Sequence, residues 1–256
     1  MERSRPVSRF PRLRLFAGPN GSGKSTLKEM SELPAGLLGH YLNADDLKRA
    51  LDINPLLLFA SYGLVAPSEE AFREFFALHS QTRDKGQADT SRAIRVHDGY
   101  ADFSALPIDS YVAAVVIDWL RQQYISGGQT FSLETVMSHP EKVAGLQQAQ
   151  AAGYRPYLYY VSTESPDINV ARVRYRVEMQ GGHDVPEDKI RQRYYRSLDL
   201  LYDALRHCHR AYFFDNSGPE RLFIAEMTPD KRIISQLTDD VDTPDWFARA
   251  VLHKLT

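Results

Sequence analysis

The nine residues GPNGSGKST at positions 18–26 constrain this chain more than any other stretch. They satisfy the pattern G-x-x-x-x-G-K-[ST] from Gly18 to Ser25, with an apolar run before them and a helical pattern after. Glycines there let successive backbone N–H groups turn inward, where a Cβ would clash. Lys24 then offers a point charge to β- and γ-phosphates, the Ser25 hydroxyl a ligand for Mg²⁺, and the following helix its positive end. Gly18, Pro19, Asn20, Gly21, Ser22, Gly23, Lys24, Ser25 and Thr26 therefore read as a nucleotide-binding loop, with ATP and Mg²⁺ as cofactors.

A loop of this kind needs an α/β fold, and the rest of the chain alternates accordingly. RLRLFAG (12–18), HYLNADD (40–46), QTFSLET (129–135), RPYLYYVS (155–162) and AYFFDNSG (211–218) read as five strands. Amphipathic segments separate them, the rhythm of a mainly parallel five-stranded sheet with helices on both faces. FIAEMT and RIISQL suggest a small antiparallel addition. TPDWFARAVLHKL reads as a closing helix, with Thr243 as N-cap and Pro244 at its first position.

Two stretches break the alternation. Residues 53–106 read as one helix and a long polar loop, after which Val112, Val116, Leu120 and Tyr124 mark one face of a further helix. Residues 165–209 hold two arginine-dense helices divided by GGHDVP. The expectation is a single P-loop kinase domain over 1–256, with an insertion at about 53–106 and a lid at about 165–196.

Composition narrows the class. A formal net charge of −2 leaves no footprint for a dominant nucleic-acid partner. With one cysteine, Cys208, no internal disulfide can form. No segment approaches the roughly 20 apolar residues that span a bilayer, and the N-terminus lacks the apolar core of a secretory signal. The expectation is a soluble cytoplasmic protein without membrane contact.

A GTPase would carry N-K-x-D, which is absent, and the nearest match, DNSG (215–218), lacks the lysine. A motor would show an apolar run ending in Asp-Glu, whereas the third strand ends in Glu134-Thr135. What remains is a small-molecule kinase, with carboxylates at strand ends near the γ-phosphate and an arginine-bearing lid. Asp45 and Asp46 are read at the end of the second strand, one positioned to take the proton of an attacking hydroxyl and the other to cap the next helix. Glu134 holds the equivalent position one strand over, suited to a sugar hydroxyl or a metal-bound water. Ser138 fits a capping box with Glu141.

Charge pairing sorts the arginines. Arg174 has Glu178 four residues on, Arg191 has Glu187 and Asp188 behind it, and Arg196 has Asp199 ahead. Arg172, Arg176 and Arg193 have no acid at helical spacing and are the candidates for triphosphate contacts. GGH supplies a C-cap and hinge, with His183 a candidate nucleotide contact.

LFAGPNGSGKSTL, YLNADDL, FSLETVMS and RVRYRVEMQGGHDVPEDKIRQRYYRSL together resemble the zeta toxin family of P-loop kinases, in the branch whose second-strand motif reads N-A-D. The resemblance covers roughly the first 50 residues and about 111–217. It implies phosphorylation of a nucleotide sugar, UDP-N-acetylglucosamine in the founding members, and an antitoxin protein as partner. It makes Asp45 the base and places Glu134 and Thr135 on the substrate. Arg172 and Arg176 would meet the triphosphate, and Asn216 would lie near the adenine. The spacing of 89 positions from Asp45 to Glu134 (134 − 45) exceeds what the family's founding toxins lead one to expect. Two other readings stand beside this one: a polynucleotide or protein kinase gripping an anionic partner with SRAIR (91–95), and a non-catalytic ATP-binding regulatory module.

Overall fold

Leu13, Leu15 and Ala17 alternate with Arg12, Arg14 and Phe16, and this two-residue period sets the first strand at the centre of a sheet. The structure is a computed structural model that describes residues 10–30, 35–84, 88–180, 185–237 and 242–255. The chain opens with β1 (Arg12–Ala17), α1 (Lys24–Met30), α2 (Ala35–Leu38) and β2 (His40–Leu42). There follow α3 (Ala44–Ile53), β3 (Leu56–Leu58), α4 (Glu69–Leu78), α5 (Ser80–Asp84), β4 (Arg95–His97), β5 (Tyr100–Asp102) and α6 (Ser110–Gly127). The last part is β6 (Phe131–Thr135), α7 (Pro140–Ala151), β7 (Arg155–Ser162), α8 (Pro166–Gln180), α9 (Glu187–Arg206), β8 (Arg210–Asp215), β9 (Leu222–Met227), β10 (Ile233–Ser235) and α10 (Asp245–Ala250). Two compact units result, Met1–Tyr41 with Gly128–Thr256, and Leu42–Gly127.

The first unit is built on a seven-stranded sheet in the order β10-β9-β8-β7-β1-β6-β2. β6, β1, β7 and β8 are parallel, while β9 and β10 run antiparallel at one edge. The α/β class is therefore as the sequence indicates, but the sheet has seven strands rather than five, because FIAEMT and RIISQL join the main sheet. One face of β1, β7 and β8 is closed by Leu13, Leu15, Leu158, Tyr160 and Phe213. Two smaller expectations fail. His139, not Ser138, caps α7, its Nδ1 accepting from Glu141 N. Pro244, not Thr243, stands at the N-cap of α10, because helical geometry begins only at Asp245.

The second unit replaces the expected long loop with regular structure. A three-stranded antiparallel sheet, β3-β5-β4, turns at Asp98-Gly99, both with positive φ. Phe72 packs edge-on against Phe59 and Trp119 at 5.5 and 5.1 Å, and Phe76 and Phe103 complete the cluster. α6 is buried nearly all round, through Ala113, Val115, Val116, Ile117, Trp119, Leu120, Tyr124 and Ile125. The single apolar face read from the sequence understates it. Asp118 on this helix accepts from Arg121 Nε (2.7 Å) and Gln122 Nε2 (3.0 Å), with His79 Nε2 at 3.5 Å. Burial alone would raise its pKa, but these partners hold the carboxyl well below the usual range.

Candidate functional site

The loop from Gly18 to Gly23 emerges from the carboxyl end of β1, the edge at which open α/β sheets bind ligands. Gly18 has φ +145°, and a Cβ there would lie 2.0 Å from Val161 O at the end of β7. A Cβ on Gly23 (φ +95°) would lie 2.5 Å from Asn216 Nδ2. Glycine is required here by backbone conformation and by the close approach of neighbours alike.

Those neighbours also fix the loop's peptide planes. Asn169 Nδ2, on α8, donates to Asn20 O at 2.5 Å, and Asn216 Nδ2, after β8, donates to Ser22 O at 2.8 Å. Asn169 is itself fully buried, and Thr163 Oγ1 donates to its Oδ1. Asn216 is held from behind, its N–H on Ser162 O (2.8 Å) and its carbonyl accepting from Arg172 Nη1 (2.6 Å). With both carbonyls engaged, the loop's N–H groups are left for a ligand. Among the described residues, those of Asn20, Gly21 and Gly23 donate no hydrogen bond. Asn20 Oδ1 and Ser22 Oγ are likewise buried without a partner among the described residues. Neighbouring backbone N–H groups without a protein partner are suited to receive an anion.

Lys24 is only 8 % exposed, and its ammonium donates to Pro19 O at 2.9 Å, across the mouth of its own loop. Ser25 Oγ lies 3.1 Å from both carboxylate oxygens of Glu134. Glu134 is the penultimate residue of β6, in register beside Phe16 of β1, so adjacent parallel strands bring it to the loop. Tyr41 OH, from β2, donates to Glu134 Oε2 at 2.5 Å, and the Lys28 ammonium sits 4.1 Å from the centre of the Tyr41 ring. Sequence reasoning missed Tyr41, Thr163 and Asn169. Asn169 lies in the first turn of α8, where an Asn is ordinary, so the sequence carries no signal that marks it. Hydroxyl and carboxylate oxygens are the donors Mg²⁺ takes, so Ser25 and Glu134 fit that ion. Among the described residues no cluster of three His, Cys, Asp or Glu could hold a metal by protein ligands alone. The remaining ligands would have to come from nucleotide phosphates and water.

The other sequence candidates fall unevenly. Thr26 is exposed on α1, and Thr135 Oγ1 accepts from Met137 N at 3.2 Å in the turn after β6. Asp45 and Asp46 do not end a strand. They lie in the first turn of α3, and Asn43 is the cap, its Oδ1 accepting from Asp45 N (2.8 Å) and Asp46 N (3.4 Å). β2 stops at Leu42 because this cap turns the chain into the helix one residue later. Asp46 pairs with Arg49 at 2.5 Å, whereas the Asp45 carboxylate is exposed and makes no bond among the described residues.

Arg172 joins the loop through Asn216, Arg176 is half-buried on the same helix, and Arg193 makes no ion pair among the described residues. Arg174 pairs with Glu187 at 2.5 Å rather than Glu178, and Arg191 with Asp167 and Glu187 rather than Asp188. The expected Arg196–Asp199 pair does not form. The i±4 pair Arg191–Glu187 forms as expected at 2.8 Å, and packing of α8 on α9 adds Glu187 to Arg174 and Asp167 to Arg191. His183 and the GGH hinge lie outside the described residues.

No protein-family model matches the chain, and no curated protein matches it by sequence. Solved structures do match its fold. A chain of the AvrRxo1-ORF1:-ORF2 complex solved with ATP is 12% identical, with a TM-score of 0.52 over 92% of this chain and 67% of that one. A chain of the complex solved with sulphate ions is 11% identical, with a TM-score of 0.51 over 90% and 62%. A chain of the PezAT chromosomal toxin–antitoxin system of Streptococcus pneumoniae is 13% identical, with a TM-score of 0.47 over 95% and 78%. At these identities the likeness is one of fold, and this chain spans about three fifths of the length of the sulphate-bound AvrRxo1 chain.

Proposed function

We propose that the chain is an ATP-dependent kinase of the zeta-toxin type, transferring the γ-phosphoryl group of ATP to a hydroxyl of a small metabolite. A UDP-N-acetylhexosamine is the acceptor class we favour. The observation that carries this reading is the loop held open by Asn169 and Asn216, with a buried Lys24 parked on the loop's own carbonyl. The fold shared with a complex solved with ATP supports the choice of nucleotide.

In this reading the free N–H groups of the loop take the phosphates, and Lys24 exchanges Pro19 O for phosphate oxygens. Ser25 and Glu134 would hold Mg²⁺, which would supply positive charge against the phosphates. Glu134, oriented by Tyr41, also meets the acceptor, with Thr135 beside it. Asp45 takes the proton of the acceptor hydroxyl as the oxygen bonds to phosphorus, and ADP leaves. Asp45 is preferred to Asp46 because Arg49 already occupies the latter. Arg172, Arg176 and Arg193 meet the charge of the triphosphate, and a protein partner of antitoxin type belongs to the same reading.

The test is ADP release from Mg-ATP, with and without UDP-N-acetylglucosamine, by wild type and Asp45→Ala. Release that depends on the sugar and disappears in Asp45→Ala supports the reading in full. Sugar-independent release, unchanged in Asp45→Ala, would remove both the acceptor class and the base.

A further inference from the structure

β7 and β8 are parallel strands, and such strands are ordinarily buried on both faces and read as continuous apolar runs. Here they alternate. Pro156, Leu158, Tyr160, Ala211 and Phe213 are buried, while Arg155, Tyr157, Tyr159, Arg210 and Tyr212 between them are half-buried. The topology explains this. The steps from β6 to β7 and from β7 to β8 move the same way across the sheet, and right-handed crossovers moving one way lay their helices on one face. α9 and α10 meet that face, Tyr160 reaching Ser197 (2.9 Å) and Trp246, and Phe213 packing on Phe247. On the opposite face α1 packs at the carboxyl end, where Leu27 joins Phe16 and Val161.

The rest of that opposite face is cationic. The register sets Arg12 beside Arg155, and Tyr157 between Arg14 and Arg210. Like charges at neighbouring positions repel. Glu226 engages Arg210, and Arg14 is buried with its Nη1 donating to Leu37 O. Among the described residues Arg12 and Arg155 form no ion pair, the Arg155 guanidinium lying 4.3 Å from the centre of the Phe10 ring. Arg12 Nε is buried without a hydrogen-bond partner among the described residues. The field is felt at His209, whose pKa is lowered by burial and then by Arg155, Arg210, Lys231 and Arg12.

The aromatic rings on this face stack on one another. Phe16–Tyr159 and Tyr159–Tyr212 stack at 5.0 Å, and Phe214–Phe223 at 5.1 Å, all within 25° of parallel. That spacing is close to the distance between neighbouring strands, so the rings stand upright across the strands with their faces turned to one another.

We propose that this face of β7, β8 and β9 is the docking surface for an acidic segment of a partner protein. Its carboxylates meet Arg155, Arg210 and the hydroxyls of Tyr157 and Tyr212, and its apolar side chains cover Phe223, which is 36 % exposed. A second copy of this chain would set arginine against arginine. The chain's own first nine residues, MERSRPVSR, carry three arginines against one glutamate and would be repelled. Single-stranded nucleic acid stacks its bases on open ring faces, and here those faces are already turned to each other. The inference stands apart from the kinase reading.

The experiment uses the full chain without nucleotide and three probes: a random glutamate–tyrosine copolymer, polylysine and a thymidine oligonucleotide. Anisotropy titrations compare wild type with Arg155→Glu, the milder Arg155→Gln, and Arg196→Glu on the exposed side of α9 as a charge control. The copolymer should bind wild type, and Arg155→Glu should weaken it about tenfold or more while Arg196→Glu changes it less than about twofold. Radical footprinting should show the bound copolymer protecting Tyr157 and Tyr212 from oxidation. Circular dichroism melts establish that each variant folds; should Arg155→Glu fail, Arg155→Gln and the footprint decide. Equal weakening by Arg196→Glu, failure of wild type to bind the copolymer, or tighter binding of the oligonucleotide through Arg155 would each overturn the proposal.

Discussion

The two units of this chain use their residues in opposite ways. In the first, buried polar groups carry the structure at the site. Asn169, Asn216 and Thr163 hold a loop whose glycines admit no side chain, and the N–H groups of Asn20, Gly21 and Gly23 donate to none of the described residues. In the second, Phe59, Phe72, Phe76, Phe103 and Trp119 pack edge to face, and its chief buried charge, Asp118, is satisfied from three directions. The first unit keeps donors in reserve at its loop, while the second pairs most of what it buries, Arg73 Nη2 being the exception among the described side chains. Reserve is what binding requires, and closure is what stability requires.

That contrast is sharpest at Lys24. Replacing it with Ala should lower turnover by roughly 10³-fold, the scale of a lost transition-state charge, and abolish the ATP-induced rise in melting temperature. The melt of the free protein should change by far less than the nucleotide shift, since the Lys24 ammonium donates to a carbonyl of its own loop. An unaltered ATP shift would break the assignment of the loop. Phe72→Ala should do the reverse, costing about 3–5 kcal/mol of stability while ATP still raises the midpoint; chemical denaturation with and without nucleotide reads both.

Asn216→Ala lies between the two. It frees Ser22 O and should cost about 1 kcal/mol of stability, while raising the ATP concentration for half-saturation several-fold. A stability loss with unchanged ATP affinity would make Asn216 merely structural. Asp118 supplies a pH test. Its folded pKa is depressed, so its stabilisation is complete above the ordinary carboxylate pKa near 4 and is lost as pH falls through the depressed folded value. Melts of wild type should therefore fall toward acid more steeply than those of Asp118→Asn, which has no such proton to take up. The smallest effect belongs to Arg174→Ala. Its exposed pair with Glu187 should be worth less than about 1 kcal/mol, with no change in nucleotide affinity, in contrast to Arg172→Ala, which should weaken ATP binding.

The legible parts of the molecule are those governed by local rules. Gly18 to Ser25 announce their conformation because only glycine tolerates it, and β7 spans the residues RPYLYYVS expected of it. The i±4 rule finds Arg191–Glu187 but not Arg174–Glu187 or Arg191–Asp167, because it ignores the neighbouring helix. Asp45 and Asp46 were placed on a strand because N-A-D-D was read as its continuation, whereas the Asn43 side chain competes for the backbone and starts a helix. The stretch from 53 to 106 looked like loop because its strands are three residues long, too short for a two-residue period to declare itself.

The sequence by itself determined the conformation of the glycine loop, the α/β rhythm and the strand core, because each follows from backbone sterics or hydrophobic period within a short window. Only the tertiary structure decided which side chains hold the loop, since Asn169 and Asn216 lie 149 and 194 positions from the carbonyls they bind. It alone put Tyr41 on Glu134 and left an arginine- and tyrosine-bearing face half-covered. Those outcomes depend on strand order and crossover direction, which set neighbours across the sheet and are written in no single segment of the chain.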